Sequence, residues 1–227
     1  MGNLLTLYHG SEAIRQLPVF GQGNPRNDYG LGFYCTESED LAREWACSEG
    51  RGGFANRYVM DIEGLEVMHL GAPRYHILNW LAILLENRTF DTRATVANEA
   101  KEYILKQFLP DYKHYDIIVG YRADDSYFSF SRAFLENLIS LEQLQRAMRL
   151  GKLGEQVVLK SRKAFERIRF EKAEYVDSGV YFALRQKRDR QARDAYYKLQ
   201  GEGAAAGAVY AIDILREKWQ NNDARLY

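Results

Sequence analysis

The sequence predicts an α+β fold in which short strands are separated by helices. Three short apolar runs with β character stand near the start, the middle and the last third of the chain, at residues 4–8, 115–120 and 156–161. Between them, residues 75–87 and 96–109 place apolar side chains at the three- and four-residue spacing of amphipathic helices. A chain of 227 residues is long enough for one substantial core built from both kinds of element.

The composition excludes several classes of protein. The formal net charge is zero and the pI is about 6.9, so no global field favours nucleic acid or a membrane surface. No apolar run approaches the roughly 20 residues of a membrane span, and residues 1–6 lack the pattern of a signal peptide. Only two cysteines occur, Cys35 and Cys47, which fits a reducing compartment. We therefore expect a cytoplasmic protein without a membrane partner.

Two residue types bear on the kind of site. The four histidines show no spacing typical of metal ligands, so we expect no metal site. The 16 tyrosines combine apolar area with a polar tip, which suits both cores and pockets that hold planar rings.

A change of composition divides the chain into a domain over residues 1–177 and a helical extension over residues 178–227. The extension contains a polar, mostly basic helix at residues 184–199. A run of small residues separates this helix from a last helix at residues 208–219. Near the start of the chain, a short helix is predicted at residues 12–17.

One stretch combines conformational freedom with an aromatic strand, and it reads Asp28-Tyr29-Gly30-Leu31-Gly32-Phe33-Tyr34-Cys35-Thr36. Its glycines permit positive φ and a close approach of a ligand to the backbone. If the aromatic run is a strand, Phe33 and Tyr34 face opposite sides, so one can join the core while the other lines a pocket. We predict that Tyr34 is the pocket residue.

Three motifs follow one another along the chain: Leu7-Tyr8-His9-Gly10-Ser11, the run from Gly30 to Thr36, and Glu155-Gln156-Val157-Val158-Leu159. In this order they resemble the ADP-ribosyltransferase superfamily, in its histidine–tyrosine–glutamate branch, which includes diphtheria-type toxins and poly-ADP-ribose polymerases. The closest resemblance is to bacterial proteins of unassigned function in that superfamily, which share the first two motifs and the segment from Tyr115 to Asp125. The resemblance covers roughly residues 4 to 172.

The resemblance implies a split antiparallel β-sheet core with flanking helices and an NAD-binding cleft between the sheets. NAD would be the substrate of a mono-ADP-ribosyl transfer. His9 would bond a ribose hydroxyl, and the backbone of Gly10 would hold the nicotinamide carboxamide. Tyr34, with Tyr29 as a second ring, would stack on the nicotinamide. The remaining cofactor-binding residues of these motifs are Ser11 and Thr36.

The third motif departs from the superfamily pattern, because Gln156 stands where the superfamily has a glutamate. A glutamine can accept a hydrogen bond from the 2′-hydroxyl, but it cannot carry negative charge or take a proton. Glu155 is adjacent but should face the other side of the strand. Asp124 and Asp125 follow the strand at residues 115–120, and we favour them as the missing carboxylate. The predicted catalytic residues are Gln156, Asp124 and Asp125.

Each of these residues also has an ordinary structural interpretation. Alone, His9 fits a hydrogen-bonded histidine at a strand end, and Tyr34 fits a core position. Asp124 and Asp125 could equally cap the helix that follows them, and Gln156 could be an ordinary polar strand residue. The motifs in combination favour ligand binding for His9 and Tyr34.

The sequence leaves three functions open. The first is an NAD-dependent mono-ADP-ribosyltransferase, a bacterial toxin or defence component that acts on a protein or nucleic-acid acceptor and has a neutralising partner protein. The second is a catalytically weak NAD- or ADP-ribose-binding module, in which Gln156 marks lost chemistry. The third is an interaction protein whose basic tail binds nucleic acid or a partner chain. Poly-ADP-ribose synthesis is disfavoured, because chain elongation in that branch relies on the glutamate.

Overall fold

The computed structural model describes residues 4–90, 94–123, 125–150, 154–203 and 205–227. Within these ranges the strands are β1 (Leu4–Ser11), β2 (Phe33–Cys35), β3 (Gly53–Asp61), β4 (Val67–His69), β5 (Ile117–Tyr121), β6 (Glu155–Leu159) and β7 (Ile168–Val176). The helices are α1 (Glu39–Ala46), α2 (Ile77–Asn87), α3 (Thr95–Phe108), α4 (Asp125–Leu135), α5 (Leu141–Ala147), α6 (Arg162–Arg167), α7 (Ser178–Gly201) and α8 (Ala211–Arg216), followed by a short 3-10 helix (Ala224–Leu226). The predicted α+β class is confirmed.

The strands form two sheets that are joined at one point. The first sheet has the order β1-β3-β7 and is antiparallel. The second has the order β2-β6-β5-β4, in which β4 runs parallel to β5 while the other pairs are antiparallel. A bridge between Tyr8 and Thr36 links β1 to the end of β2, with backbone hydrogen bonds of 2.8 and 2.9 Å. The second sheet is therefore mixed, which corrects the expectation of a wholly antiparallel core.

Strands β5 and β6 are buried on both faces, which explains their unbroken apolar sequences. Ile117 belongs to a buried cluster that includes Leu7 and Tyr58 of the first sheet. Ile118, the next residue, belongs to a second cluster with the helices, as does Val158 of β6. Because successive side chains alternate between faces, one core lies between the sheets and another lies under the helices.

The C-terminal extension packs into the larger of these two cores. Tyr196 and Leu199 of α7, Ile214 of α8 and Trp219 are all buried in the cluster that α2 to α5 form with the second sheet. Helix α7 begins at Ser178, where the sequence predicts the extension to begin. The extension is helical and shares the main core, and its division from the preceding residues as a domain stays a prediction.

Helix α1 packs directly against strand β1. Its start is capped by Ser38, whose hydroxyl oxygen accepts a hydrogen bond from the backbone of Leu41 at 3.4 Å. At Gly10 the strand and helix backbones approach so closely that an added Cβ would lie 2.1 Å from the carbonyl oxygen of Ala42. This contact fixes the position of α1 relative to β1.

Candidate functional site

A cleft of about 580 Å³ lies between strand residues on one side and α7 on the other. The strand side includes His9 and Gly10 of β1, Tyr34 of β2 and Gln156 of β6. The volume is within the range of pockets that bind small molecules and cofactors. Three motifs that are far apart in the sequence therefore meet at one cleft.

His9 is held in one tautomer by its surroundings. Its Nδ1 lies 2.7 Å from the carbonyl oxygen of Tyr34, and its ring packs against Phe33 with 4.5 Å between the centroids. Burial lowers the pKa of His9, which favours the neutral imidazole. Because a carbonyl oxygen only accepts, the proton must be on Nδ1, and Nε2 is an acceptor. His9 can therefore accept a hydrogen bond from a hydroxyl group.

We expect His9 to make the stability of the fold depend on pH. The pKa of His9 is lower in the folded state than its ordinary value of about 6.5, so the unfolded chain takes up this proton first as the pH falls. The free energy of unfolding should therefore decrease from about pH 6.5 down to the lowered folded pKa, with no effect at higher pH.

The pH effect can be measured by urea unfolding at about pH 5 and about pH 8, in the wild type and in a His9→Gln variant. Glutamine can donate to the Tyr34 carbonyl but does not titrate, so the variant should lose less stability at the lower pH. Burial also lowers the pKa of His76, and this contribution is common to both proteins. An equal loss in both proteins would contradict the assignment.

The Tyr34 ring is fixed at the cleft by two hydrogen bonds of its phenol group. The hydroxyl donates to the carbonyl of Gly30 at 2.6 Å and accepts from the backbone N–H of Tyr29 at 3.1 Å. Gly30 has a φ of 73°, and an added Cβ would lie 2.5 Å from Oδ1 of Asn87, so this turn requires glycine. Burial raises the pKa of Tyr34, which keeps the phenol protonated. The ring is a rigid surface in the cleft wall.

Lys160 holds the same turn from the end of β6. Its ammonium group donates to the carbonyl oxygens of Tyr29 and Leu31, the second at 2.6 Å. Burial lowers the pKa of Lys160 to about 8. The glycine turn thus depends on a side chain 129 residues beyond Leu31.

Gln156 and Asp28 form a buried polar pair in the cleft. Gln156 is 5% exposed and lies opposite Gly120 in the ladder of β5 and β6. Its Nε2 donates to Oδ2 of Asp28 at 2.9 Å. Asp28 is 6% exposed, and it also accepts from the backbone of Ala123 at 2.8 Å and from Arg88 at 2.9 Å. Burial raises the pKa of Asp28, while these donors oppose the increase.

Helix α7 supplies the opposite wall, which is rich in arginine. Arg188 forms a bidentate ion pair with Glu44 of α1 at 2.7 and 3.0 Å, and Glu44 is 3% exposed. The charged lining comprises Arg88, Arg122, Arg185, Arg188 and Arg193 against Asp28, Glu44 and Asp189. This excess of positive charge favours an anionic ligand.

A flat surface of two side chains forms another part of the lining. The guanidinium of Arg122 lies 4.3 Å from the centroid of a Trp45 ring, and both residues line the cleft. Stacked guanidinium and indole groups present faces on which a planar base can stack.

Three of the six predicted cofactor-binding residues line this cleft, namely His9, Gly10 and Tyr34, as does the predicted catalytic residue Gln156. The other three, Ser11, Tyr29 and Thr36, do not. Tyr29 is 1% exposed, and its phenol donates to the carbonyl of Tyr121 at 2.7 Å. The ring could stack on a ligand only by leaving the core. The stacking role of Tyr29 stays a prediction, and in the structure its phenol links the glycine turn to Tyr121.

Ser11 and Thr36 also bond to local partners. The Ser11 hydroxyl donates to the carbonyl of Ala13 at 2.7 Å. Thr36 is 2% exposed, and its hydroxyl oxygen accepts from the backbone of Ser38 at 3.2 Å. Neither residue lines the cleft, and their contact with the cofactor stays a prediction. Thr36 contributes by joining the two sheets.

The side chains of the two carboxylates predicted to replace the glutamate lie outside what the structure describes. Asp124 lies outside the described residues. Asp125 begins α4, and its side chain also lies outside what the structure describes. Glu155 forms a surface pair with His69 at 3.6 Å and does not line the cleft. The catalytic roles of Asp124 and Asp125 stay predictions.

The cleft residues that were not predicted from the sequence include Asp28, Arg88 and Trp45. Asp28 stands directly before the glycine turn, and this position is the one local signal that could have identified it. Arg88 follows α2 and Trp45 lies within α1, where nothing in the helical pattern separates a cleft residue from a core or solvated one.

Among the described residues, no helix is long and apolar enough to cross a membrane. In the same ranges, no three His, Cys, Asp or Glu residues are grouped to hold a metal ion. No curated protein and no solved structure gives a significant match to the chain. One family model, described as "Protein of unknown function (DUF3990)", matches residues 5–170, which include the strand side of the cleft but not α7. The chain belongs to this DUF3990 family of proteins of unknown function.

Proposed function

We propose that the protein is an NAD-dependent mono-ADP-ribosyltransferase that modifies a macromolecule. The main support is the convergence of His9, Tyr34 and Gln156 at one cleft from three separate strands. The two sheets are compatible with the split core that the sequence resemblance implies. The family description contains no activity, so the proposal rests on this geometry and on the resemblance.

The nicotinamide riboside part of NAD would lie on the strand side of the cleft. His9 Nε2 accepts a hydrogen bond from one ribose hydroxyl, and the amide oxygen of Gln156 accepts from another. The Tyr34 ring stacks on the nicotinamide, which contributes about 1 kcal/mol beyond the buried area. Because the Tyr34 phenol is already bonded to the turn, little side-chain freedom is lost on binding.

The adenylate part of NAD would lie toward α7. Arg185 on this wall can form charge-assisted hydrogen bonds with the diphosphate. The stacked pair of Arg122 and Trp45 offers a flat face for the adenine. Binding energy from this remote part of the substrate can then hold the reacting bond in place.

The reaction breaks the bond between ribose C1′ and the nicotinamide nitrogen. The electron pair of this bond goes to the nicotinamide, which leaves as a neutral molecule, while positive charge develops on the ribose. A lone pair of the acceptor forms the new bond to C1′, and the acceptor releases its proton to water. The protein contributes by orienting the groups and by electrostatic stabilisation of the developing cation.

We expect NAD labelled in its adenylate part to transfer label to a macromolecule in cell lysate. A His9→Ala variant should lose labelling by about tenfold or more, because it removes the ribose acceptor and the contact with the Tyr34 backbone. Protease and nuclease digestion of the labelled product would identify the acceptor class.

The matched control is His114→Ala. His114 is half-exposed and does not line the cleft, so this variant should label like the wild type. Absence of label from the protein, RNA and DNA fractions, or equal labelling by the His9→Ala variant, would contradict the proposal.

A second candidate function is a catalytically weak NAD- or ADP-ribose-binding module. The uncharged Gln156 at the glutamate position favours it, because an amide cannot take a proton from the acceptor. Calorimetry would then show NAD binding, while no nicotinamide would be released on long incubation.

A further inference from the structure

Asp28 is a buried carboxylate at the cleft, and none of the predicted site roles belongs to it. Its three partners, Gln156 Nε2, the Ala123 backbone and Arg88, are all hydrogen-bond donors. These donors, one of them a guanidinium, favour the charged form of the carboxylate and oppose burial, which raises its pKa. Asp28 therefore brings a negative charge to the position where the sequence shows only an amide.

The charge on Asp28 also determines the orientation of Gln156. A glutamine amide has a donor end and an acceptor end, whereas an ionised carboxylate only accepts. The donor end of Gln156 must therefore face Asp28, as observed at 2.9 Å. The amide oxygen is then the end of Gln156 that can accept a hydrogen bond from a ligand in the cleft.

We propose that Asp28 and Gln156 together replace the single glutamate expected at this site. Gln156 accepts the hydrogen bond of the ribose hydroxyl, and Asp28 is a positioning residue that orients the amide and places negative charge near the developing cation. This pairing rests on the proposed transferase function. It differs from the expectation that Asp124 and Asp125 supply the carboxylate.

The pairing makes a definite prediction for Asp28→Asn. Oδ2 of Asp28 accepts from both Gln156 Nε2 and the Ala123 backbone N–H. If the NH₂ group of the new asparagine takes this position, it loses the Ala123 bond, and the Gln156 amide turns its oxygen toward residue 28 and presents its NH₂ group to the ribose. If the asparagine oxygen takes this position, both bonds remain and the NH₂ group faces Arg88. The variant loses the charge in both orientations, and in the first it also loses the acceptor. In Asp28→Asn/Gln156→Glu, the asparagine donates to the new carboxylate, whose second oxygen faces the ligand. The double variant therefore has both the acceptor and the negative charge again, and the charge lies on residue 156 instead of residue 28.

The experiment measures nicotinamide release and NAD binding by the full chain. We expect Asp28→Asn to lower kcat about 100-fold while the Kd for NAD changes by less than about tenfold. The double variant should return kcat to within about tenfold of the wild type. Equal kcat for Asp28→Asn and the wild type, or a double variant no more active than folded Asp28→Asn, would overturn the pairing.

If Asp28→Asn does not fold, the Gln156→Glu variant alone tests the pairing. Two carboxylates at hydrogen-bond distance share a proton near neutral pH, so kcat of this variant should increase as the pH rises and the pair ionises. A pH profile identical to that of the wild type would overturn the pairing and leave the transferase function standing. A wild-type protein that binds NAD without releasing nicotinamide would overturn both.

Discussion

An Arg188→Ala variant is expected to lose about 3–5 kcal/mol of stability in the region where α7 meets α1. The Arg188 guanidinium donates two hydrogen bonds to Glu44, which is 3% exposed. Removal of the arginine leaves a buried carboxylate without its bidentate partner. The loss of stability from this unpaired charge is larger than the loss when both members of the pair are replaced by apolar residues. The first half of α7 should therefore separate from α1 before the rest of the fold opens.

Hydrogen exchange resolved by residue would detect this separation as faster exchange in residues 178–193, together with a lower urea midpoint. Arg193→Ala is the matched control, because Arg193 pairs with Asp189 on the surface of the same helix and the pair is worth less than about 1 kcal/mol. A Glu44→Gln/Arg188→Met variant should recover most of the loss, since it leaves no buried charge. Similar losses for Arg188→Ala and Arg193→Ala would show that the buried pair does not hold α7.

Much of the fold follows from patterns within short segments. The apolar runs at residues 115–120 and 156–161 predict strands, and β5 and β6 confirm them. In the structure Ile117 and Ile118 lie in two different clusters, which explains why these runs are apolar without alternation. The prediction that Phe33 and Tyr34 face opposite sides is also supported. Phe33 packs in the core between the sheets, and Tyr34 reaches the cleft.

Contacts between residues that are far apart in the sequence determine the parts of the fold that local patterns do not predict. Residues 12–17 were predicted as a helix, but the structure shows no helix there. The backbone N–H of Arg15 donates to Asn56, and its carbonyl accepts from Tyr58. These bonds to β3 replace the bonds of a helical turn. The parallel pairing of β4 with β5 is likewise set by distant segments and has no signature in either strand.

The candidate site, too, could be predicted from the sequence only in part. His9, Tyr34 and Gln156 could be selected from their motifs, although their shared cleft could be seen only in the structure. The link between Asp28 and Gln156 spans 128 residues, and that between Arg88 and Asp28 spans 60. Side-chain pairs at such separations leave no periodic signal in a single sequence. The contacts that make α7 a cleft wall include the ion pair between Arg188 and Glu44, and the polar composition of the helix gave no sign of this role.

A Gly10→Ala variant is expected to destabilise the protein by about 3 kcal/mol. The added Cβ would lie 2.1 Å from the carbonyl oxygen of Ala42 and 2.6 Å from the backbone nitrogen of Ala46. Both contacts are with helix backbone, so no side-chain rotation can relieve them and α1 must move away from β1. Gly10 does not have a positive φ, so the cost is steric and not conformational.

Movement of α1 would also displace Glu44 and Trp45, which line the cleft. The variant should therefore bind NAD more weakly wherever it remains folded, and urea unfolding with calorimetry at low temperature would measure both effects. Gly201→Ala is the matched control, because an added Cβ there meets no atom within 4 Å and alanine favours the helix. If Gly10→Ala unfolds at the same urea concentration as Gly201→Ala, the close approach of α1 to β1 is wrong. The placement of Glu44 beside Arg188 would then be in question as well, because α1 carries that carboxylate to the cleft.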